Sequence, residues 1–170
     1  MKGKPKLIII RGQSGSGKST LAKELRKRLT DYKTALLEQD YLRRHVLGEL
    51  GGGEDGQIDN IELMRTAAEF CLKNNYITII EGIMHEEYYG EMLSALADKP
   101  LVNSRVFYLD IPFEETLKRH ATKPNNDAFG ENQMKRWYRE KDYLNIRNEV
   151  IITSESTLNE SIELILNTIL

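Results

Sequence analysis

The sequence predicts an α/β domain built around a mostly parallel sheet, and three observations carry that prediction. Short apolar runs alternate with helical patterns along all 170 residues, as they do in βαβ units. Several runs lack polar alternation, which is typical of strands buried on both faces. A glycine-rich motif follows the first run. With 40% hydrophobic residues the chain can enclose one sizeable core, so we expect a single domain over residues 1–170.

Five apolar runs are predicted to be strands. They lie at Lys6–Arg11, Thr34–Glu38, Ile77–Glu81, Arg105–Asp110 and Glu149–Thr153. The first, third and fourth runs lack polar alternation, so we expect the sheet to bury them on both faces.

Leucine and isoleucine spacing predicts helices between the strands. Apolar residues recur every four positions in two segments, at Leu21, Leu25 and Leu29 and again at Leu158, Ile162 and Leu166. Each set forms one stripe on a helix, and we expect both stripes to pack on the sheet.

Three helix starts are marked by residues that commonly occupy them. Asp59 with Glu62, and Thr157 with Glu160, each have the spacing of a capping box, in which two side chains satisfy free backbone N–H groups. Pro112 suits the first turn of a helix after the fourth strand, because the N–H that proline lacks would be unpaired there.

Two polar segments interrupt the helical pattern. Residues 48–56 are rich in glycine, which predicts an exposed loop between two helices. Residues 121–130, ATKPNNDAFG, form a second interruption between helical patterns. We expect neither segment to form a regular element.

Charge and cysteine content restrict the partners and the location. The net charge is −2 and the pI is about 6.0, so we expect no nucleic acid bound over a broad basic surface. A single cysteine, Cys71, excludes an internal disulfide and favours the cytoplasm. The N-terminal apolar stretch Leu7–Ile10 is too short for a signal sequence or a membrane span. We therefore expect a cytoplasmic protein with a small-molecule partner and no membrane partner, in an oligomeric state that stays open.

The segment GQSGSGKST after the first strand carries the most specific motif. Its residues match the pattern G-x-x-x-x-G-K-[ST], and an amphipathic helix begins there. Strand, loop and helix thus follow the order that a P-loop requires. We predict that the loop binds the phosphates of ATP through Gly12, Gln13, Ser14, Gly15, Ser16, Gly17, Lys18, Ser19 and Thr20.

The backbone of the loop explains this chemistry. Glycines allow successive N–H groups to turn toward phosphate oxygens, and the start of the following helix adds partial positive charge. We expect Lys18 to bridge the β- and γ-phosphates and Ser19 to offer its hydroxyl to Mg²⁺. Thr20 either contacts the α-phosphate or only continues the helix.

The rest of the chain favours a compact kinase over other P-loop proteins. GTPases carry an N-K-x-D motif, which does not occur here. Remodelling ATPases and transporters carry extra domains, for which 170 residues leave little room. We therefore expect a kinase with ATP and Mg²⁺ as its cofactors.

An acid and an arginine follow the second strand, one helical turn apart. Asp40 and Arg43 lie in EQDYLRRH, at the start of a predicted helix. Parallel sheets bind ligands beyond the carboxyl ends of their strands, so both residues would face the crevice of the P-loop. Asp40 can accept the proton of an attacking hydroxyl, and Arg43 can hold the acceptor or the transferring phosphoryl group. The competing interpretation is that Asp40 only caps a helix and Arg43 is solvated.

Two acids that end strands compete to support Mg²⁺. Glu81 ends the third strand and Asp110 ends the fourth, and pattern alone does not separate them. We favour Glu81 as the metal residue beside Ser19, because Asp110 precedes a helix start where acids often only cap. Glu81 is also a candidate contact for the acceptor. His85, four residues further on, is another, although a single histidine in a loop is more often incidental.

Basic residues flank the second polar segment, where small kinases carry a lid. Phosphoryl transfer spreads negative charge over the phosphate oxygens, and a lid commonly supplies an arginine that stabilises it. We expect the lid at about residues 119–140, with Arg119 as a catalytic residue. Its neighbour Glu115 leaves an ordinary surface ion pair as the alternative. Three further basic residues stay open as phosphate contacts, the last two on one face of the next predicted helix: Lys123, Arg136 and Arg139.

On these motifs the chain resembles small P-loop kinases of the zeta-toxin, polynucleotide-kinase and antibiotic-phosphotransferase group. The resemblance covers nearly the whole chain and rests on GQSGSGKST, EQDYLRRHVLGE, IIEGIMH, YLDIPFEETLKRHATKP and FGENQMKRWYREKDYL. It implies a three-layer P-loop kinase fold, with a five-stranded parallel sheet in the order 2-3-1-4-5. It also implies a base at Asp40, because related kinases acting on nucleic-acid ends and on adenylyl sulfate place arginine three residues after an acid. Lys123 departs from the arginine that relatives often carry there.

These expectations describe an ATP-dependent phosphotransferase. It would move the γ-phosphate of Mg-ATP to a hydroxyl group of a nucleoside, a sugar or an antibiotic-like molecule. One alternative is a polynucleotide 5′-hydroxyl kinase, which the acidic pI disfavours. The other is a non-catalytic nucleotide-binding regulatory protein, which would lack a carboxylate near the γ-phosphate.

Overall fold

Five parallel strands form one sheet in the computed structural model, which describes residues 4–48, 54–122 and 130–170, with backbone only for 54–57. The strands are β1 (Lys6–Gly12), β2 (Thr34–Glu38), β3 (Ile77–Gly82), β4 (Asn103–Asp110) and β5 (Glu149–Thr153). Their order is β2-β3-β1-β4-β5, and every neighbouring pair is parallel. The predicted fold class and strand order are confirmed.

Helices connect and cover the strands. Their bounds are α1 (Lys18–Arg28), α2 (Gln39–Tyr41), α3 (Glu54–Lys73), α4 (Glu86–Ala97), α5 (Phe113–Ala121), α6 (Glu131–Trp137) and α7 (Leu158–Ile169). A π-helical turn over Leu42–Val46 continues α2. None of the helices in the described residues combines the length and apolar character that a membrane span requires.

The central strand β1 divides the core into two apolar clusters. Its residues Leu7, Ile8, Ile9 and Ile10 are all fully buried, at 0% exposure. Ile8 and Ile10 pack with residues of α1 and α7, whereas Leu7 and Ile9 pack with residues of α3 and α4. Because side chains alternate along a strand, the four consecutive apolar residues of β1 serve both clusters. The result is a three-layer α/β architecture.

The two predicted apolar stripes have different outcomes. The α1 stripe is confirmed, since Leu21, Leu25 and Leu29 are all buried. The α7 stripe is corrected, because Leu158 is 41% exposed. Its buried apolar residues are Ile162, Ile165 and Ile169, which follow the three- and four-residue steps of one helix face.

Of the three predicted helix starts, one is confirmed. Thr157 accepts a 3.2 Å hydrogen bond from the backbone N–H of Glu160, whose carboxylate accepts one of 2.8 Å from the backbone of Thr157. The box at Asp59 is wrong, because α3 already begins at Glu54 and its first turn lies upstream. Pro112 lies one residue before the first residue of α5 and serves as its N-cap instead.

The two polar segments are described only in part. The prediction of a loop over residues 48–56 is wrong for residues 54–56, whose backbone belongs to α3. Residues 49–53 lie outside the described residues. In the second segment, Ala121 ends α5 and Gly130 precedes α6, while residues 123–129, including Lys123, lie outside the described residues.

Candidate active site

The P-loop connects the end of β1 to the start of α1, as the motif predicts. Gly15 and Gly17 have φ angles of 79° and 99°, in the left-handed region that side chains disfavour. A Cβ atom on Gly15 would lie 2.5 Å from the carbonyl oxygen of Thr116 in α5. The glycines thus permit both the tight turn of the loop and the close approach of α5.

Lys18 closes the loop from its far end. Its side chain is buried, and the ammonium donates a 3.1 Å hydrogen bond to the carbonyl oxygen of Gln13. The hydroxyl of Ser16 is buried and has no hydrogen-bond partner within the described residues. A lysine held across the loop and an unpartnered hydroxyl inside it fit the phosphates of a nucleotide. Ser14 is half-buried in the same turn, and Thr20 is exposed on α1.

Glu81 lies against the start of α1. The Ser19 hydroxyl donates a 3.1 Å hydrogen bond to its carboxylate. Glu81 is only 3% exposed, and burial raises the pKa of its carboxyl above the ordinary value, while the charge of Lys18 opposes that shift. Lys18, Ser19 and Glu81 therefore form one cluster at the carboxyl edge of the sheet.

This cluster fits a magnesium ion brought by a nucleotide. Within residues 4–48, 54–122 and 130–170, no group of three or more His, Cys, Asp or Glu side chains is placed to hold a metal ion. Mg²⁺ in kinases takes most of its ligands from phosphates and water, and one or two protein oxygens are enough. The Ser19 hydroxyl and the Glu81 carboxylate have the required chemistry.

Asp110, the competing acid, has a different partner. Its carboxylate accepts a 2.5 Å hydrogen bond from the hydroxyl of Tyr143, in the chain that follows α6. Its strand, β4, flanks β1 on the side opposite to β3. The structure thus brings Ser19 together with Glu81 and ties Asp110 to Tyr143.

Asp40 lies directly past the end of β2, on the same edge of the sheet. Its side chain is 62% exposed and lies 3.3 Å from Arg43 and 3.8 Å from Arg44. Burial is the largest cause of the raised pKa of Glu81, and the negative charges of Glu38 and, last, Asp40 add to that rise. The Nε atom of Arg43 is buried and has no partner within the described residues. An exposed carboxylate between two guanidinium groups can accept a proton and hold an anionic group.

Arg119 contacts the P-loop directly. Its Nη1 donates a 2.9 Å hydrogen bond to the carbonyl oxygen of Ser16, and its Nε donates one of 2.9 Å to Glu115. A Cβ atom on Gly17 would lie 3.7 Å from this guanidinium. The ion pair with Glu115 therefore exists, and it holds Arg119 beside the loop rather than away from it.

His85 precedes α4 and faces the end of α6. It is half-buried, and it has a hydrogen bond with the backbone of Trp137. Burial lowers the pKa of the imidazole, and its Nε2 has no partner within the described part of the chain. His85 therefore lies between α4 and the segment after the lid helix, on the β3 side of the site.

The prediction that Arg136 and Arg139 share one helix face is wrong. Helix α6 ends at Trp137, and Tyr138 has an extended backbone, with ψ of 126°. Arg136 is exposed on the helix. Arg139 lies beyond the helix, where it forms a 2.5 Å ion pair with Glu87.

Two polar side chains near the site carry no motif signal. Arg11 is fully buried and donates hydrogen bonds of 2.8–3.0 Å to the carbonyl oxygen of Met84 and to Asp142. Gln39 packs over Gly82, where a Cβ would lie 2.5 Å from its amide oxygen, and that oxygen accepts a hydrogen bond from Met84. The sequence feature that could have indicated a role for Arg11 is its position directly after the apolar run Leu7–Ile10.

Sheet order and phosphate loop together define a P-loop kinase fold. The APS kinase CysC of Mycobacterium tuberculosis, solved with AMPPNP and APS, has a TM-score of 0.76 at 16% identity, with 98% of each chain covered. A gluconokinase from Sinorhizobium meliloti has a TM-score of 0.67 at 15% identity, covering 98% of this chain and 92% of that one. At such low identities the similarity concerns the fold.

The chain belongs to the AAA_33 family of AAA domains, which residues 7–144 match. It is 32% identical over 121 residues to an adenylyl-sulfate kinase of Clostridium acetobutylicum, covering 70% of this chain and 59% of that protein. It is 30% identical over 115 residues to a probable adenylyl-sulfate kinase of Archaeoglobus fulgidus, covering 66% and 72%. The chain thus spans less than two thirds of the Clostridium protein.

Proposed function

We propose that the protein is an ATP-dependent phosphotransferase that moves the γ-phosphate of Mg-ATP to a hydroxyl group of a small molecule. The observation that carries the proposal is the 3.1 Å contact between Ser19 and Glu81 beside the buried Lys18. It combines the phosphate loop with a carboxylate on the neighbouring strand. The kinases among its relatives support the same reaction class.

The side chains have separate roles in this reaction. Lys18 and the loop N–H groups bind the phosphates, and Ser19 with Glu81 would hold Mg²⁺, which neutralises charge on the transferring group. Asp40, just past the neighbouring strand β2, accepts the proton of the acceptor hydroxyl as that oxygen attacks the γ-phosphorus. The bond from the γ-phosphorus to the bridging oxygen breaks, and ADP leaves. Arg43 and Arg119 stabilise the negative charge of the phosphate oxygens.

The acceptor side is formed by the chain after β2 and after β3. Asp40 and Arg43 would line it from one strand, and Glu81 and His85 from the next. The lid expected at about residues 119–140 stays a prediction, because residues 123–129 lie outside the described residues. We keep nucleosides, sugars and antibiotic-like molecules as acceptors, and add adenylyl sulfate and gluconate from the names of the similar kinases. We also propose a cytoplasmic location, where ATP is available and Cys71 stays reduced. Membership of the zeta-toxin group is a further part of the proposal.

A phosphate-transfer screen tests the proposal. The chain is incubated with γ-labelled ATP, Mg²⁺ and pools of nucleosides, sugars, aminoglycosides, adenylyl sulfate and gluconate, with Lys18→Ala as the blank. We expect labelled product from one pool and none from the blank. Transfer only to the 5′ end of an oligonucleotide would favour the polynucleotide kinase. Nucleotide binding without transfer to any acceptor would favour the regulatory protein.

A further inference from the structure

The chain beyond α6 is hydrogen-bonded to β1 and to the P-loop that follows it. Residues 138–145, here called the return segment, follow α6 without regular secondary structure. The side-chain amide of Gln13 donates a 2.6 Å hydrogen bond to the carbonyl oxygen of Arg139. Two residues earlier, Arg11 donates a 2.8 Å bond to the carbonyl oxygen of Asp142. Arg11, near the end of β1, and Gln13, in the phosphate loop, thus hold the return segment at two points.

The side chain of Gln13 is placed for this contact and not for contact with solvent. It is 2% exposed, and its Nε2 also donates a 3.0 Å hydrogen bond to the hydroxyl of Tyr108. Its Oε1 is buried without a partner in the described residues, which costs free energy. Because P-loops bind phosphate with backbone N–H groups and a lysine, the amide of Gln13 has its partners elsewhere, on Tyr108 and Arg139.

Tyr108 extends the connection. Its hydroxyl has a hydrogen bond with the backbone of Asp142 as well as with Gln13. The guanidinium of Arg11 lies over its ring, 5.5 Å from the centroid, and donates a 2.8 Å bond to the Asp142 carboxylate. That carboxylate also accepts the backbone N–H of Glu86, at the start of α4. Gln13, Tyr108, Arg11 and Asp142 therefore form one continuous network.

We propose that Gln13 is a positioning residue, whose side-chain amide sets the placement of the end of α6 and of the return segment relative to the nucleotide phosphates. The backbone of Gln13 belongs to the phosphate loop, and its side chain holds the carbonyl of Arg139. A change in the loop is therefore transmitted to Arg139, and through it to the preceding Trp137. The inference rests on the proposed function only in that a nucleotide occupies the loop.

Trp137 reports on this link directly. It is the only tryptophan of the chain, it is 38% exposed, and it ends α6 two residues before Arg139. Acrylamide quenching of its fluorescence measures how tightly the end of α6 is held, without any catalytic turnover. We would compare the wild-type chain with Gln13→Met, which keeps the side-chain length and removes both N–H donors. Each is measured with and without AMPPNP and Mg²⁺, and calorimetry measures nucleotide affinity separately.

We expect the quenching constant of Gln13→Met to rise about twofold, as the end of α6 loses a buried anchor, and to stop responding to AMPPNP. The affinity for AMPPNP should stay close to the wild-type value, although the change in quenching that AMPPNP causes is lost. The matched control is Tyr143→Phe, which removes the hydrogen bond that ties the same segment to Asp110 instead of the P-loop. In Tyr143→Phe, AMPPNP should still change the quenching constant of Trp137 as it does in the wild type. Tyr108→Phe removes one partner of Gln13 and should reduce the response in part, so it tests the link if Gln13→Met does not fold.

Wild-type quenching and an unchanged nucleotide response in folded Gln13→Met would overturn the inference. So would loss of the response in Tyr143→Phe to the same extent, because the anchor would then be unspecific. These readouts need neither an acceptor nor phosphate transfer. If no transfer is found but Gln13→Met uncouples Trp137, the proposed function fails and the inference stands. If AMPPNP does not bind, the comparison of nucleotide-free quenching still decides it.

Discussion

The hydroxyl of Ser19, in the first turn of α1, donates a 3.1 Å hydrogen bond to the carboxylate of Glu81, at the end of β3. The parallel register sets this pair, because Glu81 lies beside Ile10, two residues before the P-loop begins at Gly12. Two oxygen donors from different strand–helix connections thus meet where a nucleotide's Mg²⁺ would lie.

Glu81→Gln should raise the Mg²⁺ concentration needed for half-maximal phosphate transfer by roughly 10- to 100-fold, as loss of a carboxylate that supports a metal site does. An amide has no charge with which to attract the ion or to hold its waters. The measurement is a Mg²⁺ titration of the initial rate at saturating ATP. Asp110→Asn is the matched control, and its Mg²⁺ dependence should stay close to that of the wild type. The reverse pattern would assign the metal to Asp110.

Asp40→Asn should lower the turnover rate by about 10²- to 10⁴-fold, the usual contribution of a general base. Folding and nucleotide affinity should stay unchanged, because the side chain is 62% exposed and its ion pairs in the described part of the chain are with the neighbouring Arg43 and Arg44. Melting curves and calorimetry with AMPPNP check both. Asp31→Asn, an exposed acid before β2, serves as the control. Wild-type turnover in Asp40→Asn would remove Asp40 from the mechanism.

Arg119→Ala should lower turnover by about 10³-fold, the lower end of what an arginine contributes to phosphoryl transfer. Arg119→Lys should recover only part of this loss, because an ammonium lacks the planar fork that reaches both Ser16 and a phosphate. The exposed neighbour Lys118→Ala controls for the loss of one positive charge on α5. Equally low rates for the two Arg119 variants would show that positive charge contributes nothing there without the planar guanidinium. Wild-type rates for both variants would remove Arg119 from the mechanism.

The sequence contains what is needed to predict the strands and the phosphate loop because these features are local. Apolar runs such as Leu7–Ile10 are specified by burial on both faces, and the spacing of glycines and lysine specifies the loop. The pairing of Ser19 with Glu81 also follows from local features, since both residues end or begin elements at the same edge of a parallel sheet.

Contacts that depend on tertiary packing are not visible in the pattern. Arg139 has helical spacing from Arg136, yet α6 ends at Trp137. Beyond the helix, the backbone of Arg139 is held by Gln13, more than 100 positions earlier in the sequence. The α7 stripe is offset for a related reason, because side-chain spacing is compatible with several adjacent faces and only packing selects the buried one.

Glu81 should also make the stability of the nucleotide-free protein depend on pH. Burial raises the pKa of its carboxyl in the folded state above the ordinary value of 4.5, so the folded protein binds the proton more tightly than the unfolded chain. Stability therefore falls as pH rises from 4.5 through the raised pKa, and the full cost of the buried charge is present above it.

Glu81→Gln, a neutral isostere, should melt at a higher temperature than the wild type at pH 8 and at nearly the same temperature at pH 4. Thermal unfolding with EDTA measures this difference, and Glu62→Gln, at an exposed acid of α3, controls for the loss of a carboxylate. A destabilised Glu81→Gln at pH 8 would instead mean that the charge of Lys18 outweighs the burial of Glu81.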